Sequence, residues 1–505
     1  MTALARAGRG TSYGALAVVV GVASALAIIA IGYVSSSVTP ATLAAVCVGA
    51  PLGAWLLATR RVGTALIVVA AYIALLDGFL RLKTGQPELT VVRDVVFYLV
   101  VVGAVVRLAI SRGLPDVPPW TGWVLAFVSL VLVQLLNPAN PPFQIALLGM
   151  RPHLEWVPLF FFGYAVMRSP QRLRAFLVVL LVLATINGIV AFVQFNMDRN
   201  QLAGWGPGYA ELIQGEGRFQ GAGRVYYDDV GAHVRPPALG PDTGFAGRIG
   251  FLAIPGALTL LIVARGLGMR IGLFLLCGGV AVAVITSQQR TVILASLVAM
   301  FAFAGLATLG GRGLRVVLAL SVAAVVGYGA INFIAGSAAT DPFTRYSTVS
   351  PSQLFSSIKQ DRGQSLSAVP NYFSETPLGV GLGRSGPAAG LLGARGDAAT
   401  TTANSETEFN YLLSELGIPG LVVLLGFTLV VLAASFSAIR RLPDRETRML
   451  LAAVAAPLVA ILVTWISTST SATTPLAPYM WFASGVIAYW WRETRSTALP
   501  LRGPP

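Results

Sequence analysis

The amino-acid sequence predicts an all-α polytopic membrane protein with about 14 transmembrane helices and two long extracytoplasmic loops. Three observations carry this expectation. Of 505 residues, 55% are hydrophobic and only 11% are charged, against roughly 25% charged in a soluble domain. The apolar residues fall in runs of roughly 17–25, the length that crosses a hydrocarbon core of about 30 Å. Arginines collect in alternate short connections between those runs, as they do on the cytoplasmic side of membrane proteins.

The runs lie at about 13–34, 41–58, 63–81, 94–111, 120–136, 152–167, 173–195, 244–264, 270–287, 290–309, 314–334, 411–437, 448–468 and 475–491. One set of connections holds Arg60 and Arg61, then Arg168, Arg172 and Arg174, then Arg265 and Arg270, then Arg440 and Arg441. The opposite short connections, such as Ser35 to Pro40 and Asn137 to Pro142, are bare. Both termini are therefore expected in the cytoplasm. Arg81, Lys83 and Arg93 run against this pattern, because the connection at 81–93 should face outward. The chain divides into N-terminal helices (1–195), a first outer loop (196–243), helices (244–334), a second outer loop (335–410), and C-terminal helices with a cytoplasmic tail (411–505). Long loops of this kind are where chemistry is usually found.

The net charge of +14 is scattered between apolar runs with no dense basic tract, so it argues against nucleic-acid binding. Lys83 and Lys359 are the only lysines, so nearly all positive charge is arginine. Codon bias accounts for such usage. So does phosphate binding, since arginine meets phosphate oxygens with a planar, permanently charged fork. Cys47 and Cys277 both lie in apolar runs, with neither a disulfide framework nor metal-ligand spacing. No metal site and no cofactor are expected.

Four arginines stand at the expected outer boundary: Arg151 before a helix, Arg235 and Arg248 around the start of the helix after the first loop, and Arg290 in a tight helical hairpin. Each alone reads equally as an interfacial arginine reaching for lipid headgroups. Together they suit a lipid-linked phosphate or diphosphate, whose charge is felt strongly at low dielectric. Gly379 to Gly383, followed by Arg384, is glycine-rich and read alone is a flexible turn. No βαβ pattern surrounds it, which excludes a dinucleotide fingerprint. In Asn404 to Gly420, Ser405-x-x-Glu408 fits a capping box. Glu406 is either a first-turn carboxylate favouring the helix dipole or a general base at the membrane face. Of the two histidines, His153 is the better candidate, because it lies two residues from Arg151.

From about 145 to 430, the sequence resembles the bacterial O-antigen ligase and O-antigen polymerase superfamily. The residues that carry the resemblance are Gly149-Met150-Arg151, Arg235 to Ala246, Ser287 to Arg290, Pro377 to Gly383 and Glu415 to Gly420. The resemblance implies a GT-C-type, metal-independent, inverting glycosyltransferase of the bacterial inner membrane. Its partners would be a polyprenyl-diphosphate-linked glycan donor, a glycan acceptor, the bilayer and other envelope polysaccharide assembly proteins. Arg151, Arg235 and Arg290 would bind the diphosphate. Where ligases of this superfamily carry His-Asn before E-L-G, this sequence has Glu406-Thr407. That departure favours polymerisation of repeat units over ligation to another acceptor, and leaves the base open. A solute transporter is the alternative from another class. It would need charged or broken-helix sites near the midplane.

Overall fold

The computed structural model describes residues 40–86, 89–111, 116–214, 225–228, 231–308, 366–367, 369–385 and 407–496. The chain forms two compact units, Met1–Ile73 with Gln86–Asp116, and Ala74–Gly85 with Val117–Pro505. The expected spans at 13–34 and 314–334 lie outside the described residues.

In the first unit, α1 (Pro40–Ala58) packs along α3 (Thr90–Ser111). The Arg107 side chain donates to Leu57 O (2.8 Å) at the end of α1. Between them in sequence runs α2 (Val62–Thr84), which carries a π turn at Tyr72–Asp77.

The second unit continues with α4 (Thr121–Gln134), α5 (Phe143–Leu154), α6 (Pro158–Val166) and α7 (Pro170–Phe195). Then come α8 (Arg199–Ala203), α9 (Pro207–Gln214), an antiparallel ribbon of β1 (Val225–Asp228) and β2 (Gly231–Val234), and the helices α10 (Phe245–Val263), α11 (Leu267–Thr286) and α12 (Arg290–Thr308). The last described elements are α13 (Val369–Glu375), α14 (Glu408–Arg441), α15 (Arg445–Thr464) and α16 (Leu476–Ser496).

Among the described residues, seven helices are long and apolar enough to cross a membrane: α2, α7, α10, α11, α12, α14 and α15. In α10 and α15, 78% of the apolar window is buried, against 28–44% in the other five. These two therefore form the centre of the second unit, whose α11 and α12 present side chains such as Leu275 and Phe301 outward, as lipid contact requires. Helix approach is closest at α6 and α16. A Cβ on Gly163 would lie 2.2 Å from Phe482 O, and one on Gly485 would lie 1.9 Å from Phe160 O. Small residues are what allow membrane helices to touch backbone to backbone.

The expected single span at 152–167 is corrected. The chain here forms two short helices, α5 and α6, joined by a turn at Glu155–Val157. Pro158 supplies no N–H to continue the ladder, and Pro152 removes another donor one turn earlier. Glu155 and Val157 at the junction keep helical backbone angles, so α5 and α6 together form one kinked segment over 143–166 that begins nine residues earlier than expected. The segment 196–243, expected as a long outer loop, holds α8, α9 and the ribbon. Leu82 packs there with Leu202, Tyr209, Leu212 and Ile213. The end of α2 that carries Arg81 and Lys83 thus belongs with the segment expected outside. Asp77 stands 3.9 Å from Arg81 within the same helix.

Candidate functional site

The most distinctive polar contact joins two residues 262 positions apart. His153 Nε2 lies 2.8 Å from Glu415 Oε2, with both side chains fully buried. His153 stands in the last turn of α5, and Glu415 in the first segment of α14. The other oxygen of Glu415 accepts from the backbone N–H of Gly383 (3.1 Å) and of Ser385 (3.0 Å). Tyr411, one turn before Glu415, stacks on the imidazole at 4.8 Å and 11°. Four-residue spacing places Tyr411 and Glu415 on one helix face, so a single face of α14 grips His153.

The glycine-rich stretch is not the flexible turn its composition suggests. Gly379, Gly381 and Gly383 have φ of +82°, +98° and +80°, a region side-chain-bearing residues avoid. Gln134 donates to Leu378 O, and Asn140 Oδ1 accepts from Leu382 N (2.8 Å). Gly417 interrupts α14 with φ 68°, ψ −167°. Around this break Val380 N donates to Ser414 O (2.6 Å), and Ile418 N donates to Pro377 O (2.8 Å). On the opposite side, a Cβ at Gly149 would lie 2.1 Å from Gly383 N. Gly149 to Arg151, Pro377 to Arg384 and Glu415 to Gly417 therefore form one structure, in which a backbone loop is clamped between two helices.

Glu408 corrects a second expectation. The cap of α14 is Thr407, whose hydroxyl accepts from Asn410 N (3.2 Å). The Ser405–Glu408 capping box is therefore replaced by a cap two residues later. Glu408 instead turns inward, fully buried, and accepts from Ser471 N (3.0 Å) and the Thr470 hydroxyl (3.3 Å). Its other oxygen, Trp465 Nε1 and His153 Nδ1 have no hydrogen-bond partner among the described residues. Buried polar atoms rarely stand alone.

The arginines differ in what holds them. Arg151 lies 3.7 Å from Glu155 and is about one-third exposed. Arg248, in the first turn of α10, is paired with Asp242. Arg290 is the first residue of α12, after a turn in which the buried Gln288 has φ 54°. Gly247 abuts Ser287 and Val292, so α10 and α12 start at one level. Glu408 shares that end. Its N–H donates to Trp465 O, just past the end of α15, and α15 runs opposite to α10, since Thr259 late in α10 reaches Met449 early in α15. The helix ends that carry Arg248, Arg290, Glu408 and the His153–Glu415 pair thus lie on the same side of the helix layer. Arg235 follows β2 and is partly buried. Arg384 donates to Ala139 O (2.9 and 2.6 Å) and clamps the connection after α4. Glu406 lies outside the described residues.

Sequence reasoning missed the central role of Glu415, placing it only in a helix-opening motif, and missed Gln134, Asn140 and Tyr411. The available signal was a carboxyl group eight positions into an apolar membrane helix, a costly placement that usually marks function. Among the described residues, no cluster of His, Cys, Asp and Glu could hold a metal ion. No family model matches the chain, and no curated protein matches it.

Proposed function

We propose that this protein is a glycosyltransferase of the bacterial inner membrane. In this reading it polymerises polyprenyl-diphosphate-linked oligosaccharide repeat units of a cell-surface polysaccharide at the outer leaflet. The observation that supports this most is that the helix ends carrying Arg248, Arg290, Glu408 and the buried His153–Glu415 pair lie on one side of the helix layer. That side is the one the arginine pattern assigns to the outside. Both termini are then cytoplasmic, and crossings at 13–34 and 314–334 complete a set of about fourteen.

In this reading Arg151, Arg235 and Arg290 hold the diphosphate and stabilise the charge that grows on it as the glycosidic bond breaks. An acceptor hydroxyl attacks the anomeric carbon from the opposite face. Its proton passes to a carboxylate at the start of α14, Glu406 or the buried Glu408. Polyprenyl diphosphate leaves with its electron pair, and the new linkage has inverted configuration. The test is incubation of the purified chain with a polyprenyl-diphosphate repeat unit. Longer lipid-linked glycans and free polyprenyl diphosphate are the expected products. Turnover of a nucleotide sugar alone would defeat the proposal. In cells, a deletion strain that accumulates single repeat units supports polymerisation, whereas long unattached chains would assign ligation instead.

A further inference from the structure

At the opposite end of the helix layer lies a cleft of about 540 Å³ between the start of α7, the end of α10 and the start of α11. Its walls are apolar, formed by Val178, Leu260, Val263, Leu273 and Leu276. Its mouth is charged. Arg174, which is ion-paired with Glu446, and Arg265 line it. Arg270 borders it, because its guanidinium donates to Ala264 O (3.3 Å), a lining residue. Three arginines against one carboxylate leave the mouth net positive.

Depth decides what such a cleft can hold. Met269, Gly272, Leu273 and Leu276 line it along one face of α11. From Met269 to Leu276 the helix rises about 10 Å, roughly two-thirds of the ~15 Å depth of one leaflet. The basic mouth stands where the membrane helices end, and Leu267 and Met269 beside it are 75% and 60% exposed, as residues facing lipid are. A soluble anion would use only the mouth. A neutral lipid would use only the wall.

We infer that this cleft binds one anionic phospholipid of the bilayer, with its phosphate at Arg265, Arg270 and Arg174 and the upper part of an acyl chain against Leu273 and Leu276. Glu446 acts against the ligand, because it occupies Arg174. Basic pockets between membrane helices select anionic headgroups in this way, each arginine contributing about 1 kcal/mol, or about fivefold in affinity.

The test uses native mass spectrometry of the full-length chain in detergent, with phosphatidylglycerol and phosphatidylcholine of identical acyl chains as probes. The wild type should retain phosphatidylglycerol preferentially. Arg265→Gln with Arg270→Gln should reduce that binding about thirtyfold, and Glu446→Gln should increase it by freeing Arg174. Gly272→Leu, at a position where an added Cβ meets nothing within 4 Å, should fill the cleft and reduce retention of both lipids without lowering thermal stability. Equal retention of the two lipids by the wild type, or unchanged retention in the arginine variant, would overturn the inference. Displacement of phosphatidylglycerol by millimolar inorganic phosphate would reassign the site to a free anion and overturn it equally.

Discussion

Gly149→Ala should dislodge the clamped loop although it adds one methyl group. The new Cβ would stand 2.1 Å from Gly383 N and 2.5 Å from Gly383 Cα. Both are backbone atoms, so no side-chain rotation relieves the clash. Moving from 2.1 Å to the 3.4 Å of ordinary contact requires a shift of about 1.3 Å. A shift of that size carries Gly383 N–H away from Glu415 Oε1, now 3.1 Å distant. Overpacking costs about 1–3 kcal/mol, and a buried N–H left unpaired costs about 1–3 kcal/mol more. Better helix propensity returns about 0.5–1 kcal/mol. The net loss should be about 1–5 kcal/mol, centred near 3, large for a single methyl group. Gly278→Ala is the control, since an added Cβ there meets nothing within 4 Å and should be neutral or stabilising. Melting of both variants in detergent, followed by size-exclusion chromatography, measures the difference. If Gly149→Ala melts with Gly278→Ala, the loop is not seated on α5 and the account of the clamp fails.

Three further outcomes are expected. Glu408→Gln should leave folded yield near wild type, because an amide oxygen still accepts from Ser471 N, yet abolish glycan transfer; full transfer in that variant removes Glu408 as the base and leaves Glu406. Arg290→Lys should impair transfer nearly as much as Arg290→Ala, because an ammonium does not match paired phosphate oxygens; wild-type chain length in the lysine variant would return Arg290 to headgroup contact. Asp444 caps α15, and the Thr447 hydroxyl hydrogen bond holds its carboxyl below the usual value of 3.8, so Asp444→Ala should cost about 1 kcal/mol at neutral pH. A carboxyl with a lowered folded-state pKa stabilises above its unfolded pKa and loses that effect as pH falls through the folded value. The gap between wild type and Asp444→Ala should therefore narrow below about pH 4, and a gap that widens in acid would contradict the capping role.

The membrane helices were legible wherever length and apolarity alone define them. The run 244–264 became Phe245–Val263, and 290–309 became Arg290–Thr308. Reading failed where prolines cut an apolar run, as at Pro152 and Pro158, because hydropathy does not register a missing N–H. The ribbon at 225–234 went unread although Val225-Tyr226-Tyr227 has strand-favouring residues. Around the site, the glycines at 149, 379, 381, 383 and 417 were visible as letters. Which backbone each must admit was not, since those contacts join segments about 40 residues apart at Gly379 and Gly417 and more than 200 apart at Gly149, Gly381 and Gly383. Nor does the local pattern distinguish a carboxyl group that starts a helix, such as Glu408, from one that holds a distant loop, such as Glu415.

The break at Gly417 makes α14 a spliced helix. Where its own ladder lapses, Pro377 O and Val380 N stand in for the absent turn. A lipid-crossing segment has no water to satisfy such groups, so α14 is complete only with a patch borrowed from a segment about forty residues upstream. That patch precedes α14 in the order of synthesis. A circular permutant beginning at Glu408 would reverse the sequence and insert α14 with its splice still open.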